Sequence, residues 1–302
     1  MAFGPGNLGR RLIPGIFHAK KQKGLIMSLT QLHVYSPVLR LETEVWAVLP
    51  DLKAFDVPDK KFKVLWLMPS GSEDQTDWIR HSDIENMAKE RDLVVISPDL
   101  HKSCGTNMYM GPRYADWVAK DLPETLRTMF RFLSEKREDN FIAGFSNGAY
   151  AALYIAMTYP QMYVAAGGFA SGDKADADWP HRPWTQRVPN YGPGTDETGN
   201  FRETPYSYKY LAKKLVENNS PYIPHFFHVW GTAEQWTYMN DIVNEFFLSY
   251  KEKGDPFRYE FMALPGHGHT FRMCEAGLQG FFDYLKLPVI DPKTREVIRT
   301  FD

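Results

Sequence analysis

The sequence predicts an α/β protein, with a mostly parallel sheet, antiparallel strands at the N-terminal side and helices on both faces. Three observations predict it. From residue 62 onward, short apolar runs of the buried-strand type alternate with longer segments of helical periodicity. Before that, two segments alternate apolar and polar residues, as an antiparallel pair with one wet face does. No linker-like tract interrupts the series, so residues 27–302 read as a single domain.

The opening pair covers 31–38 and 42–49, joined through Leu39-Arg40-Leu41. Residues 62–68 form an apolar strand that stops at Pro69-Ser70-Gly71. An amphipathic helix over 78–91, a buried strand over 93–97 and a long helix over 114–133 come next. Strand 141–144 leads into helix 147–158, which Pro160 stops. Strand 163–169, helix 208–217, strand 225–230, helix 236–251, strand 257–264 and helix 271–285 complete the order. Residues 173–207 break the rhythm: they lack periodicity but carry Trp179, Trp184, Tyr191 and Tyr206 among prolines and glycines. A loop that long in a compact domain caps a site or is disordered, and the aromatics favour a packed insertion able to act as a lid.

Hydrophobic residues are 43% of the chain and charged residues 24%, which excludes wholesale disorder. No apolar run reaches the ~20 residues that span a bilayer. A net charge of −2 gives no general pull toward nucleic acid. Cys104 and Cys274 are too few for a disulfide framework or a structural zinc site. Residues 1–26 contain no acidic residue and carry Arg10, Arg11, Lys20, Lys21 and Lys23, while Pro14-Gly15 breaks their only apolar stretch. That pattern does not read as a signal peptide; a flexible basic extension and a cytoplasmic location are the expectation.

Gly144-Phe145-Ser146-Asn147-Gly148 matches G-x-S-x-G, for which composition predicts about 0.1 chance matches in a chain this long. It sits between an apolar strand and an alanine-rich helix, the setting in which a sharp turn exposes a nucleophilic serine above a sheet. The hydroxyl then stands at a helix N-terminus, where partial positive charge favours an oxyanion. Serine needs a base to remove its proton, and in this topology an acid and then a histidine follow in the chain. His267 and His269 come directly after the last strand. Glu234 is the first carboxylate after strand 225–230, Asp173 is the next candidate, and Asp241 lies too far into the following helix.

A metal centre fits these histidines poorly. His225 and His228 are three apart on a strand and face opposite ways, and a catalytic zinc wants three protein ligands. No phosphate-cradling glycine motif is present, so neither cofactor nor metal is expected.

Residues 146–150, the Gly231-Thr232 turn and the Gly-His segment resemble the tributyrin esterase and acetylesterase group, in the esterase D branch of the α/β-hydrolases. The likeness runs from about residue 29 to 285, with support from 78–88, Asp121-Leu122-Pro123 and Leu211-Ala212-Lys213-Lys214. It implies the α/β-hydrolase fold and cofactor-independent, serine-dependent hydrolysis of short acyl esters. Relatives place the base nine positions before a leucine that opens a Leu-x-x-Phe pattern, and counting back from Leu278 assigns His269 over His267.

Three departures stand out. Ala233-Glu234 replaces the usual Glu-Asp, Pro69-Ser70 replaces a His-Gly, and His269 precedes Thr270-Phe271 rather than Asp-Trp. The loop with Pro69 ordinarily gives one oxyanion N–H, and the residue after the nucleophile gives the other. Asn147 fits the second role. Gly71 is the better candidate for the first, with Ser70 behind it, since Pro69 has no N–H.

The expectation is a serine carboxylesterase: Ser146 as nucleophile, His269 as base, Glu234 as acid, and Asn147 and Gly71 as oxyanion donors. Its partner is a small-molecule ester, not nucleic acid or membrane, and a homo-oligomer stays open. Tyr109, Met110, Trp179 and Trp184, with Met108, are expected on the alcohol side. The alternative, motivated by the altered acid and oxyanion positions, is a catalytically impaired relative that binds carbohydrate or protein.

Overall fold

The computed structural model describes residues 27–50, 59–71, 73–176, 184–195, 200–291 and 297–301. The expected basic extension over 1–26, and Trp179, lie outside them.

The opening pair is β1 (Met27–Ser36) and β2 (Leu41–Pro50), antiparallel, with Met27 opposite Pro50 and Ser36 opposite Leu41. They lead into β3 (Lys63–Met68), β4 (Leu93–Pro98), β5 (Asn140–Phe145), β6 (Ala165–Phe169), β7 (His225–Gly231) and β8 (Glu260–Leu264). The eight strands are ordered β1-β2-β4-β3-β5-β6-β7-β8. β2 pairs antiparallel with both of its neighbours, and every later pair is parallel. This is the α/β-hydrolase arrangement that the sequence predicts.

Alternation along the strands divides the core into two layers. Val64, Trp66 and Met68 of β3 face one side, while Leu65 and Leu67 face the other. The first side is covered by Trp117 and Val118 and by α4 (Leu122–Met129), α5 (Asn147–Thr158), α7 (Tyr208–Glu217) and α8 (Thr237–Leu248). The second is covered by α1 (Asp77–His81), α2 (Ile84–Lys89) and α9 (Phe271–Tyr284). The register brings Met68 beside Gly144, Phe145 beside Phe169 and Gly231 beside Leu264. The loops that follow these strands therefore gather at one edge, outside the carboxyl ends, where open α/β sheets bind ligands.

Several predicted elements change shape for local reasons. The helix over 78–91 is two helices, α1 and α2, because Ser82 bonds back to the Trp78 carbonyl through its N–H at 3.1 Å and its hydroxyl at 2.6 Å. The helix over 114–133 begins as α3 (Tyr114–Asp116), widens into a π-helical turn over Trp117–Asp121 and resumes as α4. Pro123 supplies no N–H and crowds the carbonyl of Ala119, and the wider turn absorbs it. It ends at Met129 because residues beyond it pair with Phe62, whose N–H donates to Phe132 O at 2.8 Å. β8 begins at Glu260, since Asp255 and Arg258 hold positive φ of 44° and 43°.

The insertion contains α6 (Trp184–Tyr191), which aperiodic sequence and an internal Pro189 concealed. Its aromatics pack as expected: Tyr191 and Phe201 are buried and stack at 5.0 Å, and the Tyr150 hydroxyl donates to Tyr206 O at 2.6 Å. A short pair, β9 (Val289–Ile290) with β10 (Val297–Arg299), closes the described chain and carries no sequence signal strong enough to read. No helix among the described residues is long and apolar enough to cross a membrane.

Phe281 is fully buried under the sheet against Phe169 and Phe227. Phe281→Ala is expected to lower unfolding free energy by about 3–5 kcal/mol, measured by urea denaturation.

Candidate active site

One residue separates the end of β5 from the start of α5, and it must reverse the chain. Ser146 does so at φ +58° and ψ −118°, a conformation sparsely populated by residues with a Cβ. Its N–H donates to Phe169 O at 2.9 Å, and its carbonyl accepts from the Ala149 N–H at 3.0 Å. The flanking glycines are a steric requirement. A Cβ on Gly144 would lie 2.2 Å from Gly148 O, and one on Gly148 would lie 2.3 Å from Met68 O. The Ser146 hydroxyl has no hydrogen-bond partner among the described residues, and such catalytic contacts commonly tighten only with substrate.

The Asn147 N–H opens α5 and so has no intrahelical acceptor. The Ser70 N–H donates to Asp77 Oδ2 at 2.7 Å, which removes Ser70 as an oxyanion donor. The Gly71 and Asn147 N–H groups have no acceptor among the described residues. These residues touch: a Cβ on Gly71 would fall 1.8 Å from Asn147 Nδ2. The Asn147 side chain is held in turn by the Lys174 ammonium, which donates to its Oδ1. Beside them lies a cavity of about 40 Å³, lined also by Leu100, His101, Lys102 and Cys104.

His269 sits at the same edge. Its ring lies tilted against Phe145, the residue before Ser146, at 4.5 Å between centroids, and meets Trp236 edge-on at 4.7 Å. His269 Nδ1 lies 2.8 Å from Glu234 Oε2, and the Glu234 side chain is 0% exposed. The other carboxylate oxygen, Oε1, accepts from the Asn240 amide. Asn240 Oδ1 is 3.0 Å from Nε2 of His228, a fully buried histidine that burial pushes down to a pKa of about 3.

The remaining expected residues are distributed as follows. His267 contributes backbone: its carbonyl accepts from the Ala233 N–H at 3.0 Å, and a Cβ on Gly231 would come 2.1 Å from that oxygen. Asp173, the second acid candidate, is tied elsewhere. It accepts from Ser207 Oγ at 2.7 Å and from the Lys209 and Ala175 N–H groups at 3.0 Å, which anchors the insertion to α7. Tyr109 and Met110 are exposed at the rim and bond to the end of α6, through Tyr109 N–H to Asn190 O and Met110 N–H to Pro189 O. They do not line the cavity. Trp184 opens α6.

The sequence reading missed Cys104 and its neighbours after β4, and it missed Trp236. Both were accessible in outline, since the loop after every parallel strand reaches this edge and Trp236 stands two positions past Glu234. His225 and His228 do not join His269 in any group of metal ligands. Among the described residues, Glu73, Asp77 and His81 alone bring ligand atoms within 4.8 Å of one another. Asp77 is already engaged by Ser70, and Glu73 faces Arg80 at 4.0 Å.

A family described as "Esterase" matches residues 36–278. The chain belongs to this esterase family. An acetyl esterase of Caldicellulosiruptor saccharolyticus is 28% identical over 148 residues, which is 46% of this chain and 54% of that relative. The matched stretch thus spans about half of the curated relative. A fluorophosphonate-binding serine hydrolase of Staphylococcus aureus superposes with a TM-score of 0.73 at 25% identity, covering 86% of this chain and 98% of that chain. An S-formylglutathione hydrolase of the same organism gives 0.72 at 24% identity, covering 86% and 99%.

The buried Asp173 yields a pH test. Burial, then the neighbouring Asp176 carboxylate, push its pKa from 3.8 up to about 6. Its contribution to stability is present in full below the unfolded value and is lost as pH rises through 6, a span of about 3 kcal/mol. Asn does not titrate. The stability of wild type relative to Asp173→Asn should therefore fall by about 2 kcal/mol between pH 4 and 7, measured by urea unfolding.

Proposed function

We propose that the protein is a serine carboxylesterase that hydrolyses short-chain, acetyl-type esters through an acyl-enzyme on Ser146. The observation that carries this reading is the His269 ring, held through Nδ1 by the buried Glu234 and lying against the residue that precedes Ser146.

In this reading Glu234 fixes the imidazole with its proton on Nδ1, leaving Nε2 free to accept the Ser146 hydroxyl proton. The serine oxygen attacks the ester carbonyl, and the N–H groups of Gly71 and Asn147 receive the oxyanion. Glu234 stabilises the imidazolium, which then protonates the departing alcohol. Water repeats the sequence on the acyl-enzyme and releases the acid.

The small cavity beside Gly71 and Asn147 has room for only a few water-sized groups, which favours a short acyl chain. Similarity to an acetyl esterase supports the same choice. The leaving alcohol must lie within reach of His269, and Trp236, 36% exposed and 4.7 Å from that ring, offers it an aromatic face. This favours phenolic or sugar alcohols. The impaired binding relative rested on the altered acid and oxyanion positions. A glutamate that reaches Nδ1 and an unengaged Gly71 amide both favour the enzyme.

With 4-nitrophenyl acetate, Ser146→Ala and His269→Ala are expected to lose more than about 1,000-fold in kcat. Glu234→Ala should lose about 100- to 10,000-fold. A fluorophosphonate probe should label wild type and leave Ser146→Ala unlabelled. A Ser146→Ala enzyme within tenfold of wild type would refute the reading.

A further inference from the structure

Glu234 stands where relatives carry aspartate, and its longer side chain adds a rotatable bond to the group that must hold His269 still. One carboxylate oxygen meets His269, and the other is buried and needs a donor of its own. Asn240 provides it. Its side chain is almost completely buried, and its NH2 group donates to both Glu234 Oε1 and the Trp236 carbonyl, the latter at 3.2 Å. Both amide protons are used, so Asn240 Oδ1 must point the other way, toward His228.

His228 lies in the middle of β7, fully buried, with Nε2 at 3.0 Å from Asn240 Oδ1 and Nδ1 at 3.1 Å from the Tyr259 hydroxyl. An amide oxygen can only accept, so with Asn240 in this direction Nε2 carries the ring proton and Nδ1 accepts the one proton of the Tyr259 hydroxyl. The Asn244 amide at 2.9 Å from that hydroxyl then turns its NH2, not its oxygen, to it. Burial keeps the ring neutral, so this N–H adds no competing cation near Glu234. If Asn240 turned over, its oxygen would face the Glu234 carboxylate and the Trp236 carbonyl, two acceptors with no proton to offer. These two acceptors set the direction of the amide, and His228 supplies the donor that its oxygen needs.

We propose that Asn240 and His228 are positioning residues for the acid–base pair: Asn240 fixes the Glu234 carboxylate toward His269, and His228 anchors the Asn240 amide through its oxygen. The proposal rests on the esterase reading above. Neither residue touches substrate or the reacting atoms. The turn that carries Glu234 is braced by the same segment, since Thr237 Oγ1 donates to the Glu234 carbonyl at 2.7 Å. Of the titratable groups around Glu234, His269 bonds to it directly. Cys274 of α9 stays a thiol, pushed up by burial and then by the charges of Asp77 and Glu234.

The test compares steady-state hydrolysis of 4-nitrophenyl acetate by wild type, Asn240→Leu, Asn240→Asp, His228→Gln and His228→Leu, with folding checked by circular dichroism. Asn240→Leu strands a buried carboxylate oxygen and should lower kcat about ten- to hundredfold, with KM within about twofold. Asn240→Asp donates to Glu234 only while protonated. Once ionised it adds negative charge behind the imidazole, so the acid limb of the kcat/KM profile should move up by about one pH unit. A merely structural role would not move that limb.

His228→Gln keeps an N–H toward Asn240 and should hold kcat within about threefold, whereas His228→Leu should fall toward Asn240→Leu. Folded Leu variants with kcat within twofold of wild type overturn the proposal, as does an unmoved acid limb in Asn240→Asp. If the Leu variants do not fold, that limb decides alone. Ser146→Ala in the same assay separates the two levels. If it is fully active, the esterase reading fails. If it is inactive while the Asn240 and His228 variants match wild type, only the positioning inference fails.

Discussion

Ser146 can hold φ +58° with a side chain attached only because its surroundings over-determine its backbone. Its N–H is taken by β6, its carbonyl by the first turn of α5, and the two glycines allow α5 to begin against the ends of β3 and β5. The same close approach brings Asn147 into contact with Gly71. One strained residue thus sets three things together: where the hydroxyl points, where the helix starts, and how close Asn147 comes to Gly71. Sheet register then supplies the rest, because Gly231 stands beside Leu264 and the loops bearing Glu234 and His269 leave from adjacent strands.

Much of this was legible in the sequence. The alternation of apolar runs and amphipathic segments located the strands and most helices, because buried parallel strands leave little freedom in composition. The G-x-S-x-G element was readable for the same reason, since no residue but glycine fits at either end. Glu234 could be named by position and not by distance. Whether a glutamate reaches the imidazole depends on the path of the backbone after Gly231, which packing decides. Asp173 stayed as the second candidate because sequence does not reveal that Ser207, Lys209 and Ala175 had already claimed its oxygens.

Other features were hidden by compensation between distant segments. Pro123 is tolerated inside a helical stretch by a widened turn, and the helix over 78–91 is cut by a side chain that competes for its own backbone. The insertion read as a packed aromatic segment, and Tyr191, Tyr206 and Phe201 do join Tyr150 in packing. Among the described residues, the exposed aromatic against His269 is Trp236, on the loop that also carries the acid. Burial behind that loop is what makes a glutamate workable: its second oxygen finds Asn240 there, not water.

The most direct measurement is a crystal structure of the enzyme phosphonylated by a fluorophosphonate with a short alkyl chain. The account predicts the phosphorus on Ser146 Oγ, with the phosphoryl oxygen about 2.7–3.1 Å from the N–H groups of both Gly71 and Asn147. His269 Nε2 should lie within hydrogen-bond reach of Oγ or of the leaving-group position. An adduct on another residue would contradict the account, and so would a phosphoryl oxygen turned to solvent with both amides unengaged.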